Sequence, residues 1–249
     1  MQKLDLVIQG QIFDYTQKIV DSYKTLEWVN DVIVSTWEDD PPILADKVVR
    51  SLPITNLGIG NRNAQIVTSH RGLQEVKTDF CAKLRSDQTI SLDSMNKMYG
   101  FSLKNQEKIC VAGFYRPFPF HPRDHIFWGQ TAEVAEVFDI PLDKQEKVPI
   151  SELWPQKGSY AQYTRAECYL VSQYLAKKYS RVKAMTENPQ NFLVDFSPQW
   201  ETARELSEEL MDKHFIPFPK IDFQWPKHNI TSYDYEGCAA FYGEFWSDG

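Results

Sequence analysis

Two short apolar runs bracket a helical pattern at the start of the chain, and this limits the fold more than any other feature. Leu4 to Ile8 is the first run; it ends in Gln9-Gly10-Gln11, and the second, Val32 to Thr36, follows a segment with Ile19, Val20, Tyr23, Leu26 and Val29 at helical intervals. Strand, helix and strand within about 35 residues make a βαβ unit, whose crossover is right-handed and whose strands are parallel. Any ligand of such a sheet sits beyond the carboxyl ends of its strands. Both runs end in polar or glycine-containing segments, which suits that placement.

Further runs extend the pattern. Residues 80–85, 108–113 and 125–129 read as strands, and residues 61–77 read as a helix weakened by Gly72. Residues 38–60 mix proline, glycine and acid, and read as loop with one short strand. Residues 164–179 and 200–215 are helix candidates, before an aromatic and proline-rich tail that reads as a wrap. With 249 residues, 42% of them apolar, the chain can bury one large α/β core. No repeat or interdomain linker divides it.

Charge and cysteine usage exclude several classes. A net charge of -7 argues against a nucleic-acid partner bound through a broad basic surface, so any phosphate site is local. Cys81, Cys110, Cys168 and Cys238 are far apart with no CxxC pair, which suits a reducing cytoplasm. No window approaches the ~18 continuous apolar residues of a membrane span, so the expected location is cytoplasmic, with peripheral contact at the inner face of a membrane allowed.

Within FCAKLRSDQTI, alternation puts Lys83, Arg85 and Asp87 on one face if the strand runs that far. Two cations and a carboxylate at a strand end suit an anionic ligand, with or without a metal. The alternative is an internal salt-bridge network. His121 and His125 are four apart, but Pro122 and the prolines before it disfavour the helix that a zinc pair of this spacing needs.

Ile8-Gln9-Gly10-Gln11, Ser35-Thr36-Trp37, Asn61-Arg62, Gly72-Leu73, Lys83 to Asp87, and Asp124 followed by Phe127-Trp128-Gly129 together resemble the ordered motifs of the WavE-type lipopolysaccharide-synthesis family. Glu167 extends the likeness. The resemblance implies a GT-A-like glycosyltransferase: a mostly parallel central sheet flanked by helices, with a helical and irregular C-terminal part. It implies one domain over 1–249, with 1–130 on the side of the donor nucleotide and 131–249 on the acceptor side. The expected partners are a nucleotide-sugar donor and a glycan or glycolipid acceptor in surface polysaccharide assembly.

The resemblance also assigns roles. Gln9, Gly10, Gln11, Thr36, Arg62, Lys83, Arg85 and Asp87 would bind donor, and Trp128 and Gly129 would meet the acceptor. A GT-A enzyme holds Mg2+ or Mn2+ against the diphosphate with an Asp-x-Asp motif. Arg85 stands where the first Asp would be, so two chemistries stay open: Asp87 as metal ligand, or Arg85 as a bidentate phosphate clamp. Glu167 and Asp124 compete as the base of an inverting transfer. Glu167 also fits a capping box, Thr164-Arg165-Ala166-Glu167, and Asp124 fits a loop cap. Other classes remain: a non-catalytic carbohydrate- or nucleotide-binding module, and a sugar nucleotidyltransferase.

Overall fold

A computed structural model describes residues 1–115, 118–144, 166–187, 198–219, 223, 224 and 226. The strands are β1 (Leu4–Gln9), β2 (Val29–Trp37), β3 (Lys47–Ser51), β4 (Phe80–Arg85), β5 (Thr89–Ile90), β6 (Ile109–Val111), β7 (Ile126–Gln130), β8 (Phe215–Pro217) and β9 (Phe223–Gln224). The helices are α1 (Thr16–Tyr23), α2 (Arg62–Leu73), α3 (Leu92–Ser102), α4 (Thr131–Phe138), α5 (Ala166–Lys178), α6 (Ser180–Glu187) and α7 (Pro198–His214).

The opening β1-α1-β2 unit is present with β1 and β2 parallel. Around it a seven-stranded sheet runs in the order β3-β2-β1-β4-β7-β6-β8. The pairs among β3, β2, β1 and β4 are parallel, as is β6 with β8. Only β7 runs against its neighbours β4 and β6. Reversing β7 brings the residues that precede it, Asp124 and His125, beside the carboxyl end of β4, because Ile126 pairs with Leu84.

Alternation along the strands divides the core into two layers. Leu6, Ile8, Val32, Val34, Ala82, Leu84 and Trp128 pack on one face, with Ile19, Val20 and Tyr23 of α1 and Met95 and Met98 of α3. Val7, Ile33, Cys81, Val111 and Phe127 pack on the other, with residues of α2, α4, α5 and α7. Cys81 and Cys110 act as small apolar side chains, and burial pushes both thiols up to about 12.

Gly72 has a packing reason. A Cβ there would lie 2.6 Å from Val7 Cγ1 and 2.8 Å from Ser35 Cβ, so α2 crosses β1 and β2 at a distance only glycine permits. The helix persists despite that glycine because the close crossing buries its apolar residues. From the tail, β8 closes the sheet beside β6 and β9 pairs with β5, so this part of the chain does return over the body.

Candidate active site

Gln9, Ser35 and Arg85 are register partners at the carboxyl ends of β1, β2 and β4, side by side on the face that α2 covers. The turn after β1 is held shut. Gly10, at φ +125°, donates its N–H to the Ser35 carbonyl at 3.0 Å, and a Cβ on it would come within 2.6 Å of Ser86 Oγ. Ser86 in turn donates its N–H to the Gln9 carbonyl (2.9 Å) and its hydroxyl to the Gln11 carbonyl (2.7 Å). The close approach that requires glycine is therefore made by the chain's own Ser86.

Beyond β4 the chain turns, and the expected cluster forms by a different route from strand alternation. β4 ends at Arg85, and Asp87 folds back onto it: Arg85 Nε donates to Asp87 Oδ1 at 2.9 Å and Nη2 to Oδ2 at 2.8 Å. The remaining arm of the same guanidinium donates to Asp124 at 3.2–3.3 Å. Gln65 of α2 donates to Asp124 Oδ2 at 2.7 Å, and Lys83 donates to the Asp124 carbonyl at 3.0 Å. Lys83 is fully buried, with Phe127 and Phe138 rings around its ammonium. One cation thus bridges two carboxylates at the sheet edge, with a second cation beneath.

The electrostatics follow from burial and these contacts. Burial opposes the charge on Asp124, but Arg85, Lys83 and the Gln65 hydrogen bond outweigh it and hold the carboxyl well below the usual range. Burial pulls Lys83 down to about 8, against the attraction of Asp124. Burial likewise pulls His125 down to about 3, so its ring is neutral, and Gln88 Nε2 pairs with Nδ1. Burial opposes the charge on Arg85 as well, but Asp124, Asp87 and Glu167 stabilise it, and its pKa rises above the ordinary arginine value. Glu167, in the first turn of α5, lies 3.8 Å from His121 Nε2, and its charge favours the cationic forms of Arg85 and Lys83. The Thr164 end of its expected capping box lies outside the described residues.

Other expected residues sit elsewhere. Trp128 is enclosed in the core, 5.5 Å from Trp28 and 5.9 Å from Phe218 between ring centroids, and so offers no face to a sugar. Gly129 pairs with Cys81, toward the end of β4 opposite the cluster. Because β7 is antiparallel, each step along it leads away from the site; the expected acceptor contacts at Trp128 and Gly129 are corrected on that ground. Arg62 is neither a surface arginine nor open to a cleft. It is completely buried at the start of α2, 3.4 Å from Asp143 and over the Tyr169 ring, while Asn63 exchanges hydrogen bonds with the Asp143 backbone. Thr36 is buried and donates its hydroxyl to Asp40.

Gln65 was not anticipated from the sequence, nor was the pairing of His121 with Glu167. The signal for Gln65 lay in its position one residue before buried Ile66, three residues beyond Arg62 on α2.

A divalent cation fits this donor set poorly. Both oxygens of Asp87 already accept from a guanidinium, and Asp124 is shared between Arg85 and Gln65. Among the described residues no three His, Cys, Asp or Glu side chains are grouped to hold a metal. No described helix is long and apolar enough to cross a membrane.

The profile of a family described as "WavE lipopolysaccharide synthesis" matches residues 5–203. No curated protein matches the chain. Among solved structures, HddC from Yersinia pseudotuberculosis complexed with GMP-PN is similar at 14% identity and TM-score 0.36, over 57% of this chain and 82% of that one. S. aureus TarS gives 11% identity and TM-score 0.38, over 71% of this chain and 34% of that one. The glycosyltransferase GlyE of Streptococcus pneumoniae TIGR4 gives 11% and 0.41, over 98% and 51%. The chain's own mixed, mostly parallel sheet is consistent with a GT-A-like fold.

Proposed function

From the membership of this chain in the WavE lipopolysaccharide synthesis family, we propose that it is a glycosyltransferase that moves a sugar from a nucleotide-sugar donor to a glycan acceptor. The observation that carries the reading is the Arg85 bridge at the carboxyl ends of β1 and β4, beside Gln9 and the Gly10 turn. Parallel sheets bind ligands at that edge. A guanidinium there brings positive charge to the place a diphosphate would take, and Lys83 beneath it adds to that charge. The donor set proposed is therefore Gln9, Gly10, Gln11, Lys83 and Arg85, with Asp87 orienting Arg85 instead of holding a metal.

The transfer needs one base. Glu167 accepts the proton of the acceptor hydroxyl as that oxygen bonds the anomeric carbon; the bond from that carbon to the diphosphate oxygen breaks, and the nucleotide leaves with the electron pair. Arg85 and Lys83 stabilise the charge that develops on the leaving diphosphate. Asp124 is unsuited to the base role, because a carboxylate held so far into its ionised form has little affinity for a proton. Attack from the face opposite the nucleotide inverts the anomeric centre.

Titration with a panel of nucleotide sugars, in chelator and in Mn2+, tests this. Binding in chelator is expected, and Arg85→Ala is expected to weaken it about ten- to a hundredfold, the size of a charge-assisted hydrogen bond. If no nucleotide sugar binds under either condition, the reading fails. Binding that requires Mn2+ and disappears in Asp87→Ala would instead make Asp87 a metal ligand.

A further inference from the structure

We propose that Asp124 keeps the place of an anion: its carboxylate occupies the arm of Arg85 that the donor's diphosphate takes, and Gln65 retains Asp124 when the two exchange. The proposal rests on the nucleotide-sugar reading and gives tasks to two residues that touch no donor atom in it.

The two carboxylates on Arg85 are not held alike. Asp87 accepts from Nε at 2.9 Å and from Nη2 at 2.8 Å, one oxygen to each nitrogen, which is the paired geometry that a guanidinium holds most firmly. Asp124 meets a single nitrogen, Nη1, at 3.3 Å from Oδ1 and 3.2 Å from Oδ2. Charge-assisted bonds of this type run at about 2.7–2.9 Å, so neither contact is a strong one. The Asp124 arm is therefore the one that an incoming anion displaces, while Asp87 goes on orienting the guanidinium.

Asp124 has a second anchor ready. Its Oδ2 accepts from Gln65 Nε2 at 2.7 Å, closer than either contact with Arg85, and its carbonyl accepts from Lys83 at 3.0 Å. A buried carboxylate stripped of its partner is stranded at high cost. Here the amide on α2 and the backbone anchor at Lys83 stay in place while Nη1 changes partner. The guanidinium is also the most open of the three groups, with 26% of its side chain exposed against 9% for Asp87 and 6% for Asp124, so the cation is the one that an anion from solvent meets. Until then Asp124 neutralises it. A diphosphate carries more charge than one carboxylate and offers more acceptor oxygens, which drives the exchange.

The probe is inorganic pyrophosphate, titrated calorimetrically into the full chain in chelator. Asp124→Asn keeps an oxygen for Gln65 and removes the competing charge, so it is expected to bind pyrophosphate about tenfold more tightly than the unmodified chain. Damage to the fold would weaken binding, so the sign separates the two. Gln65→Met, close in volume, removes the partner that retains Asp124 and is expected to weaken pyrophosphate binding about tenfold. With Asp124→Asn in the same chain that weakening is expected to vanish, because no charge is left to retain. Pyrophosphate binding to Asp124→Asn no tighter than to the unmodified chain would overturn the proposal, as would a loss from Gln65→Met that is the same whether Asp or Asn stands at 124. Should Asp124→Asn not fold, Gln65→Met decides alone, and unchanged affinity there overturns the proposal. Failure of the nucleotide-sugar reading looks different: pyrophosphate exchanges with Asp124 as described, but no nucleotide sugar binds the unmodified chain.

Discussion

Four ionisable side chains within one small volume have been given different tasks by their surroundings. Asp124 is pinned by Arg85 and Gln65, whereas 19% of the Glu167 side chain is exposed, which suits the base role proposed for it. Glu167→Gln is therefore expected to lower kcat about 10²- to 10⁴-fold with donor affinity unchanged, measured by initial rates beside a donor titration. If that variant turns over normally while Asp124→Asn binds donor and is inactive, the base is Asp124. Lys83 supplies a second test. Its pKa, pulled by burial to about 8, means that it is cationic below that pH and neutral above it. An anionic donor should bind less tightly as pH rises through about 8, and Lys83→Met should flatten that step in calorimetric titrations from about pH 7 to about pH 9.5.

Elements are joined at two positions where a single side chain decides whether a helix can dock. At Gly72, an added methyl meets Val7 and Ser35 below 3 Å, so Gly72→Ala should lift α2 from the sheet. The expected cost is about 1–3 kcal/mol in urea unfolding, despite the better helix propensity of alanine. A stability gain would show that α2 does not cross so closely. At the other end of α2, Arg62 ties the helix start to Asp143 and to Tyr169 of α5. Removing one partner of a buried pair leaves the other charge stranded, so Arg62→Ala should cost about 3–5 kcal/mol. A donor-contacting Arg62 predicts the reverse pattern: weaker donor binding with unchanged stability. Unfolding and titration of the one variant separate the two roles.

For the molecule as a whole, the buried groups at the sheet edge make stability sensitive to acid. His125 has a folded pKa near 3, below its ordinary value of about 6.5, so between those limits the unfolded chain binds the proton that the folded chain refuses. Its contribution to stability is complete above about pH 6.5 and is lost as pH falls toward 3. Asp124, also depressed, adds a loss that begins near the ordinary carboxyl pKa of about 4 and continues below it. Melting temperatures should fall in that range, and His125→Asn, which keeps a polar partner for Gln88, should flatten the part above about pH 4. A profile identical to that of the unmodified protein would show that His125 titrates normally in the fold.

The chain's local pattern determined its parallel βαβ start, most of its strands, and the two C-terminal helices, because continuous apolar runs and helical spacing are properties of neighbours in sequence. It also pointed to Lys83, Arg85 and Asp87 as a group. Helix α3 was missed, although Ser91 caps it and Met95, Met98 and Tyr99 fall at helical spacing; Gly100 and the polar residues between them broke the pattern, and the two methionines pack against the sheet. Three further features were decided by tertiary structure alone. The reversal of β7 sets Asp124 against Arg85 and sends Trp128 into the core. The burial of Arg62 depends on Asp143, 81 positions away (143 − 62). The approach of Glu167 and His121 joins segments whose nearness no local pattern encodes. Pairing direction, burial and the partner of a charge depend on which distant surfaces meet, and that is settled only when the layers pack.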